Sequence, residues 1–303
     1  ILTPEENIDS VVLKVDPLTD TQLKDWGHKD LLTDTIPGMS VDKAYSDIFN
    51  KLKSLKPTTV IVGVLDSGVD IEHPDLKNVI WTNEDEIPGN GIDDDKNGFV
   101  DDIHGWNAYS SNGSIPSDGH GTHVAGIVGA KGNNGTNVSG VNWDVKLMAI
   151  GGSSGTTSIV LEAYGYVLDQ RAIYDSTGGA SGAFIVATNS SFGVNNADCN
   201  SATYSLWNDM YNAMGQYGIL SCGATMNNNS NVDVTGDVPT GCDSDYMISV
   251  TNTTRNDSKN SGAAYGATTI DLGAPGTQIL STYTGGGTSL LSGTSMATPH
   301  VAG

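Results

Sequence analysis

The sequence lacks the features that mark a membrane-spanning protein or an uncleaved precursor. Its 303 residues contain no run of about 18 apolar residues, the length that a transmembrane helix needs. The first residues have neither the basic region nor the apolar core of a signal peptide. We therefore expect no membrane span, and an export signal, if the protein has one, is not part of this chain.

Positive charge is also scarce. Only 14 Lys and Arg stand against 35 Asp and Glu, which gives a formal net charge of -21. A protein with this balance repels the phosphate backbone, so we expect no nucleic-acid partner. The excess of carboxylates instead favours solubility in salty or extracellular water and the binding of cations.

Cysteine is the third scarce residue, with Cys199, Cys222 and Cys242 alone. Three cysteines are too few for a disulfide scaffold, and their spacing is unlike that of a zinc site. One disulfide with one free thiol fits an exported protein. Three free buried thiols fit almost as well, so both alternatives stay open on these grounds.

What the sequence does contain is an alternation of strand and helix patterns. Residues 60–65 form a β-branched run without polar alternation, which is typical of a strand buried on both faces. The alternation predicts an α/β fold, doubly wound, with a mainly parallel sheet and helices on both faces. Further strands are predicted at residues 145–150, 183–188, 218–222, 246–250 and 268–272, and helices at residues 40–54, 120–130, 159–174 and 202–217. Ser40 suits the N-cap of the first helix, and the polar residues 1–25 indicate an extension or linker.

Three short motifs carry residues suited to catalysis. Asp66 directly follows the buried strand at residues 60–65, and functional groups collect at the carboxyl ends of such strands. His120 and His123 lie among glycines, and because no third ligand stands at a fixed spacing, a general base is favoured over a metal site. Ser295 lies in a run of small residues at the predicted start of a helix, where backbone N–H groups favour negative charge. Taken singly, a turn-forming Asp explains the first motif as well as a catalytic role does, and a helix-capping Ser explains the third motif better than a catalytic role does.

Taken together and in this order, the motifs at residues 66–68, 120–126 and 293–300 resemble those of the subtilisin-like serine peptidases, the subtilases. Weaker similarity extends from about residue 26 to the end. The resemblance implies that Ser295 attacks the scissile carbonyl, that His120 transfers the proton, and that Asp66 orients the imidazole. His123 would then have a structural role.

The same resemblance implies an oxyanion hole and a substrate cleft. Asn227 stands where the family has its side-chain donor, although Met226 replaces the usual Gly and Asn228 is a second choice. An extended peptide would bind between two edges as an added strand, in front of a roomy apolar primary pocket. The residues assigned to these edges are Ser191, Phe192 and Gly193 on one side and Ser153, Ser154 and Gly155 on the other.

An acidic loop at residues 90–102 resembles a calcium-binding loop. Asp93, Asp95 and Asn97 match the first, third and fifth positions of the EF-hand pattern, and a glycine follows. The twelfth position is a histidine, so we expect Asp101 or Asp102 to close the shell, with the Phe99 carbonyl contributing. A solvated acidic turn is the alternative. The family resemblance also implies a second calcium site between residues 73–76 and residues 133–138.

The remaining expectations also rest on the resemblance. It implies a Cys199–Cys242 disulfide with Cys222 as a buried thiol, and a catalytic domain at residues 26–303 that continues beyond Gly303, so that its C-terminal part is missing here. It implies a secreted, monomeric endopeptidase that acts on polypeptides, binds structural Ca²⁺ and matures by loss of a propeptide. The alternatives are a catalytically inactive, calcium-binding scaffold of subtilase type and a calcium-dependent structural domain.

Overall fold

A computed structural model of the protein describes residue 19, residues 24–52 and residues 58–303, without the side chains of residues 49–52. Most of the predicted extension at residues 1–25 lies outside the described residues. So do the side chains of Phe49 and Leu52, whose helical spacing contributes to the prediction of the first helix.

The main sheet has eight strands and is almost entirely parallel. Its strands lie in the order β10, β8, β6, β4, β1, β3, β2, and β9 pairs antiparallel with β8. Two antiparallel pairs, β5 with β7 and β11 with β12, lie outside it. The strands are β1 (Ile61–Asp66), β2 (Gly105–Asn107), β3 (Lys146–Gly151), β4 (Ile185–Ser190), β5 (Val194–Asn195), β6 (Leu220–Ala224), β7 (Asp237–Val238), β8 (Met247–Thr254), β9 (Ser258–Lys259), β10 (Leu272–Pro275), β11 (Ile279–Tyr283) and β12 (Gly287–Leu291).

Two of the described helical segments precede the first strand, and the others lie between or after the strands. The segments are a 3₁₀ turn at Trp26–His28 and the α-helices α1 (Val41–Leu52), α2 (Gly119–Gly129), α3 (Thr157–Thr177), α4 (Ser205–Gln216), α5 (Val232–Thr235) and α6 (Thr294–Ala302). Within the described ranges, no helix has both the length and the apolar character needed to cross a membrane.

The core lies on both faces of the sheet, as strand β1 shows by its alternation. Ile61 and Leu65 pack on one face in a cluster that also contains residues of α3 and α4. Val62 and Val64 pack on the other face with residues of α2 and with Met296 of α6. Helices therefore cover both faces, and the predicted doubly wound α/β fold is confirmed.

One local prediction was wrong and a second was right only in part, since Ser40 directly precedes α1 and its carbonyl accepts the Ala44 N–H (2.9 Å) but its side chain does not cap the helix. The strand expected at residues 268–272 begins only at Leu272, because the backbone N–H groups of Ala267 and Thr269 donate to the Asp233 carboxylate (2.6 and 2.9 Å). Ser40 has its backbone in the left-handed region (φ 61°), and its hydroxyl donates to Asp30 instead of capping α1. In both places a carboxylate accepts hydrogen bonds from groups that the local sequence assigns to a strand or to a helix cap, namely the backbone N–H groups near residue 268 and the Ser40 hydroxyl.

Candidate active site

The candidate catalytic residues meet at the carboxyl edge of the parallel sheet. Asp66 is the last residue of β1, which lies between β3 and β4. Residues 152–155 follow β3, residues 191–193 follow β4, and residues 225–227 follow β6. Since neighbouring parallel strands end at the same edge, four separate pieces of sequence surround one place.

Asp66 and His120 are joined by a hydrogen bond of 2.8 Å between Oδ1 and Nδ1. Asp66 is 1% exposed, and the same oxygen also accepts the N–H of Ser67 (2.8 Å). His120 lies in the first turn of α2, where the capping residue Asp118 accepts the His120 backbone N–H (2.8 Å). The strand end and the helix cap together fix the orientation of the imidazole.

The pKa of His120 is raised above its ordinary value of 6.5. Burial lowers this pKa, but the hydrogen bond to Asp66 and the negative charges of Asp66 and Asp118 outweigh burial. The side chain is 40% exposed, so the imidazole is reachable from outside. With Nδ1 bonded to Asp66, Nε2 is the nitrogen that remains to accept a proton.

Ser295 is the second residue of α6 and is buried. Its hydroxyl donates to the Ser191 carbonyl (3.1 Å), and the Ser191 hydroxyl donates to the Ser295 carbonyl (2.9 Å). These two bonds connect α6 to the segment after β4. Among the hydrogen bonds of the described residues there is none between Ser295 and His120, so Asp66–His120 and Ser295 form two separately bonded parts.

Asn227 lies beside the start of α6. Its Oδ1 accepts the backbone N–H of Thr294 (2.9 Å) and the Thr294 hydroxyl (3.2 Å). With the amide oxygen so occupied, the NH₂ group is the end of the side chain available to a ligand. Asn227 lines the same cavity as Ser295, whereas Asn228 does not and has a buried Oδ1 without a hydrogen bond.

That cavity has a volume of about 180 Å³ and an unexpected carboxylate in its wall. Asp237 is 1% exposed, and its Oδ2 accepts the Met226 N–H (2.9 Å) and the Thr240 hydroxyl (2.8 Å). Burial raises the pKa of Asp237 to about 6, against the lowering effect of these hydrogen bonds. Nothing in the sequence around Asp237 distinguishes it from an ordinary turn residue. The cavity is lined by Ser191, Phe192, Gly193, Asn195, Ala224, Thr225, Met226, Asn227, Asp237, Thr294 and Ser295.

The other expected cleft edge lies beside Asp66. The N–H of Ser153 donates to the Asp66 carbonyl (3.2 Å), and the Tyr109 hydroxyl donates to the Ser153 carbonyl (2.8 Å). Ser153 and Ser154 are half-buried, and Gly155 is exposed. On the opposite edge Phe192 is half-buried and packs near Trp207, with ring centroids 6.2 Å apart.

The acidic loop brings together only some of its expected ligands. Carboxylate oxygens of Glu86, Asp95 and Asp102 lie within 4.8 Å of one another. Asp93 instead accepts the N–H groups of Asn97 and Gly98 (3.0 and 2.9 Å). Three close carboxylates are a donor set that suits a hard divalent cation. Glu86 precedes residues 90–102 and was not singled out in the sequence, where only its acidic character could have indicated it.

Three further members of the loop have other contacts. The Asp101 carboxylate accepts the N–H groups of Gly89 and Gly91 (2.8 and 3.0 Å), so it braces a turn. The Asn97 NH₂ group donates to Asp95 and Asp102 (both 3.1 Å). The Phe99 ring packs edge-on against Trp106 and Tyr166, with ring centroids 4.8 Å apart in both pairs.

Asp102 ties the loop to the core. Its Oδ2 accepts the Tyr166 hydroxyl and the Gln170 amide of α3 (both 2.8 Å). Burial raises the pKa of Asp102 to about 6, although the bonds from Tyr166, Asn83 and Asn97 lower it. A ligand bound by Asp102 would therefore be connected to α3 through the Tyr166 and Gln170 hydrogen bonds.

The second expected calcium region also comes together. Asp75 accepts the Asn134 NH₂ group (2.9 Å) and the Val138 N–H (3.1 Å), so residues 133–138 wrap around its carboxylate.

The remaining sequence expectations concern His123 and the cysteines. His123 is buried with Nε2 close to the carbonyls of Ile279 (3.1 Å) and Ser289 (3.0 Å), and burial lowers its pKa to about 4. These contacts hold the β11–β12 hairpin against α2, which is a structural role. The Cys199–Cys242 disulfide and the buried free thiol of Cys222 are confirmed.

Comparison with known proteins assigns the family. The sequence profile of the Subtilase family matches residues 58–303. Subtilisin-like protease 1 of Plasmodium falciparum (isolate 3D7) is 34% identical over 268 residues, which cover 79% of this chain and 36% of that protein. Thermitase of Thermoactinomyces vulgaris is 30% identical over 248 residues, which cover 80% of this chain and 72% of thermitase.

A solved structure agrees with these matches. The crystal structure of a cold adapted subtilisin-like serine proteinase superimposes with a TM-score of 0.58 at 27% identity, covering 80% of this chain and 72% of that one. The chain spans 35–42% of the length of the Plasmodium relatives. The profile match includes Asp66, His120 and Ser295, the relatives and the solved structure agree with it, and the chain belongs to the subtilase family.

Proposed function

We propose that residues 26–303 form the catalytic domain of a serine endopeptidase. The observation that carries the proposal is the 2.8 Å hydrogen bond from buried Asp66 to His120, at the sheet edge where the chain segments around Ser295 also end. An aspartate in this position holds the imidazole in the tautomer whose Nε2 can take a proton from a nucleophile. Membership of the subtilase family supports peptide-bond hydrolysis as the reaction.

In the proposed reaction, Ser295 Oγ attacks the carbonyl carbon of the scissile bond and its proton passes to His120 Nε2. The C–O bond forms as the carbonyl π bond opens, and His120 then protonates the leaving amine as the C–N bond breaks. Water hydrolyses the resulting ester by the same steps. The reaction requires the Ser295 hydroxyl to exchange its bond to the Ser191 carbonyl for one to His120 Nε2. Catalytic hydrogen bonds of this kind often form only with substrate present.

Negative charge on the attacked oxygen needs donors. We assign this role to the Asn227 NH₂ group and to the Ser295 N–H, which lies in the first turn of α6, where N–H groups lack intrahelical partners. The substrate backbone would extend between Gly155 with its preceding serines and residues 191–193, and would add a strand to each edge.

The test is active-site labelling. A fluorophosphonate probe should modify Ser295, as located by peptide mapping, and the protein should cleave an unfolded polypeptide such as reduced casein. Ser295→Ala and His120→Ala should abolish both signals while thermal unfolding stays cooperative. A well-folded wild-type protein that is neither labelled nor active would reject the enzyme and favour the inactive scaffold.

We also propose a structural Ca²⁺ held by Glu86, Asp95 and Asp102. The support is their mutual approach within 4.8 Å and the burial of two of the three, because close buried carboxylates repel one another without a cation. Bound there, Ca²⁺ would supply charge neutralisation and no chemical step. Asp75 with residues 133–138 is our candidate for a second ion, although N–H donors occupy its oxygens in this arrangement.

An extracellular location is the last part of the proposal. The Cys199–Cys242 disulfide supports it, because such bonds persist in oxidising compartments and are rare in the cytosol. Loss of a propeptide and a monomeric state remain predictions from the family.

A further inference from the structure

The cavity beside Ser295 contains a charge that its own wall does not neutralise. Among the described residues that line it, Asp237 is the one acid, and Lys, Arg and His are absent from the lining. Its Oδ2 accepts hydrogen bonds from the Met226 N–H and the Thr240 hydroxyl, both neutral donors. Burying a carboxylate without a positive partner is unfavourable in free energy. A ligand with a positively charged group could supply that partner.

The backbone holds Asp237 firmly in this position. Strand β7 begins at Asp237, which lies opposite Asn195 in the antiparallel pair with β5. The Asp237 carbonyl accepts the N–H of Gly241 (2.7 Å). A Cβ at Gly193 would lie 2.3 Å from the Val238 carbonyl, so the glycine allows the two walls of the cavity to approach closely. Turning the carboxylate away from the cavity would break its hydrogen bonds from the Met226 N–H and the Thr240 hydroxyl.

The charge state of Asp237 favours a cationic occupant near neutral pH. Burial raises its pKa to about 6, which leaves the carboxylate mostly ionised at pH 7 and above. Phe192 contributes an aromatic wall along which the aliphatic stem of a long side chain can lie. The net charge of -21 also attracts cationic peptides from a distance.

We propose that Asp237 makes this cavity a specificity pocket for lysine or arginine at the residue before the scissile bond. The inference rests on the proposed peptidase function, because Ser295 and Asn227 line the same cavity and fix which substrate residue enters it. A lysine or arginine head group would meet Asp237 as a buried ion pair, and the peptide backbone would run past residues 191–193. The pocket thereby differs from the apolar one that the family resemblance implies.

The experiment compares peptides that differ only at that residue, namely Lys, Arg, Met and Phe, in the same fluorogenic sequence. Wild-type kcat/KM should be higher for Lys and Arg than for Met by on the order of 10²-fold, since Met has similar length without the charge. Asp237→Asn should reduce the ratio of kcat/KM for the Lys and Met peptides to near unity, because the charge that distinguishes the two side chains is removed. Asp245→Asn removes an exposed carboxylate eight residues along the chain and should leave the ratio unchanged.

Fluorophosphonate labelling of Ser295 in each variant separates loss of specificity from loss of the folded site. Equal or better cleavage of Met and Phe peptides by the wild type would overturn the inference and leave the peptidase standing. A labelled Asp237→Asn variant that keeps its Lys/Met ratio would also overturn it. A wild-type protein that cleaves no peptide and takes no label would overturn the peptidase proposal itself, and this inference with it.

Discussion

His120 receives negative charge from two carboxylates on different elements, Asp66 at the end of β1 and Asp118 at the cap of α2. Its pKa is raised by them, and in the proposed reaction only the neutral imidazole can accept a proton from Ser295. We therefore expect kcat/KM to fall as pH falls through the raised pKa, with a midpoint above 6.5. Asp118→Asn removes one charge but keeps a side-chain oxygen for the cap, so the midpoint should move to lower pH.

The measurement is the pH profile of kcat/KM on a substrate with a neutral residue before the scissile bond. Asp245→Asn is the matched control, because it removes the same charge at an exposed position that does not contribute to the His120 pKa. An acid limb that stays in place in Asp118→Asn would contradict the assignment of Asp118 as a source of the shift.

Asn227 provides a second residue-scale prediction. Asn227→Ala removes one of the two proposed donors to the developing oxyanion and should lower kcat by about 10²–10³-fold with a smaller effect on KM. Asn228→Ala is the natural control, since Asn228 does not line the cavity. Loss of activity in Asn228→Ala but not in Asn227→Ala would show that Asn228, and not Asn227, is the side-chain donor.

Residues in recognisable local motifs could be proposed as site residues from the sequence, whereas residues brought to the site by tertiary contacts could not. Asp66, His120 and Ser295 each stand in a short stretch whose neighbours are constrained by the same turn or helix start. Asp237 and Glu86 have ordinary neighbours in the sequence. Asp237 reaches the cavity only because β5 and β7 pair, and Glu86 reaches Asp95 only because residues 86–102 fold back on themselves.

At the scale of elements, the closest packing in the described fold includes that of α2 on the β11–β12 hairpin. A Cβ at Gly126 would lie 2.1 Å from Thr282 Oγ1 and 2.4 Å from Ser281 Oγ. Both hydroxyls donate to backbone carbonyls of α2, so they cannot move without losing those bonds. Gly126→Ala should therefore reduce the free energy of unfolding by roughly 1–3 kcal/mol.

The matched control is another glycine inside a helix. Gly165 lies in the middle of α3, and a Cβ there would meet nothing within 4 Å. Gly165→Ala should raise the free energy of unfolding by about 0.5–1 kcal/mol through helix propensity. Denaturant unfolding of both variants measures the difference, and an equal effect of the two substitutions would show that packing at Gly126 is not tight.

The acidic loop gives a prediction about a single segment. Ca²⁺ should raise the free energy of unfolding by about 2.7 kcal/mol at 100 times its Kd. Asp95→Asn should weaken Ca²⁺ binding strongly in isothermal titration. Asp94→Asn makes the same change of charge at the next residue, whose carboxylate binds the Ile87 N–H and the Asn90 amide, and should bind nearly as the wild type does. Equal heats for wild type and Asp95→Asn would exclude this site.

Long buried elements followed from sequence patterns, and short ones did not. β1, β3, α2, α3 and α4 appear within a few residues of their predicted places, because each contains enough buried apolar residues to stand out in the sequence. The two-residue strands β5, β7 and β9 contain too few residues to have a pattern. The strand at residues 268–272 was misplaced because Asp233, distant in sequence, binds the backbone N–H groups there.

At the scale of the whole molecule, the segment before β1 is part of the packed domain although the family profile begins at residue 58. Trp26 is 1% exposed, and its indole N–H donates to the Thr277 carbonyl (2.9 Å). Gly27 lies against His300 of α6, so the same segment supports the helix that carries Ser295. This contact, which joins residues far apart in the chain, has no counterpart in local sequence patterns and was not predicted.

The disulfide closes a long loop of the chain, and its removal is the last prediction. Cys199 and Cys242 are separated by 43 residues that include α4, β6, α5 and β7. Closing a loop of this length in the unfolded chain is worth about 4 kcal/mol in the chain-entropy account. The double variant Cys199→Ser/Cys242→Ser should lose roughly that amount of unfolding free energy in denaturant unfolding, whereas Cys222→Ser should keep the bridge.

Thiol titration of the denatured wild type should find one reactive thiol before reduction and three after it, because Cys222 alone is free. Three thiols before reduction would contradict the bridge and remove the support for an oxidising compartment.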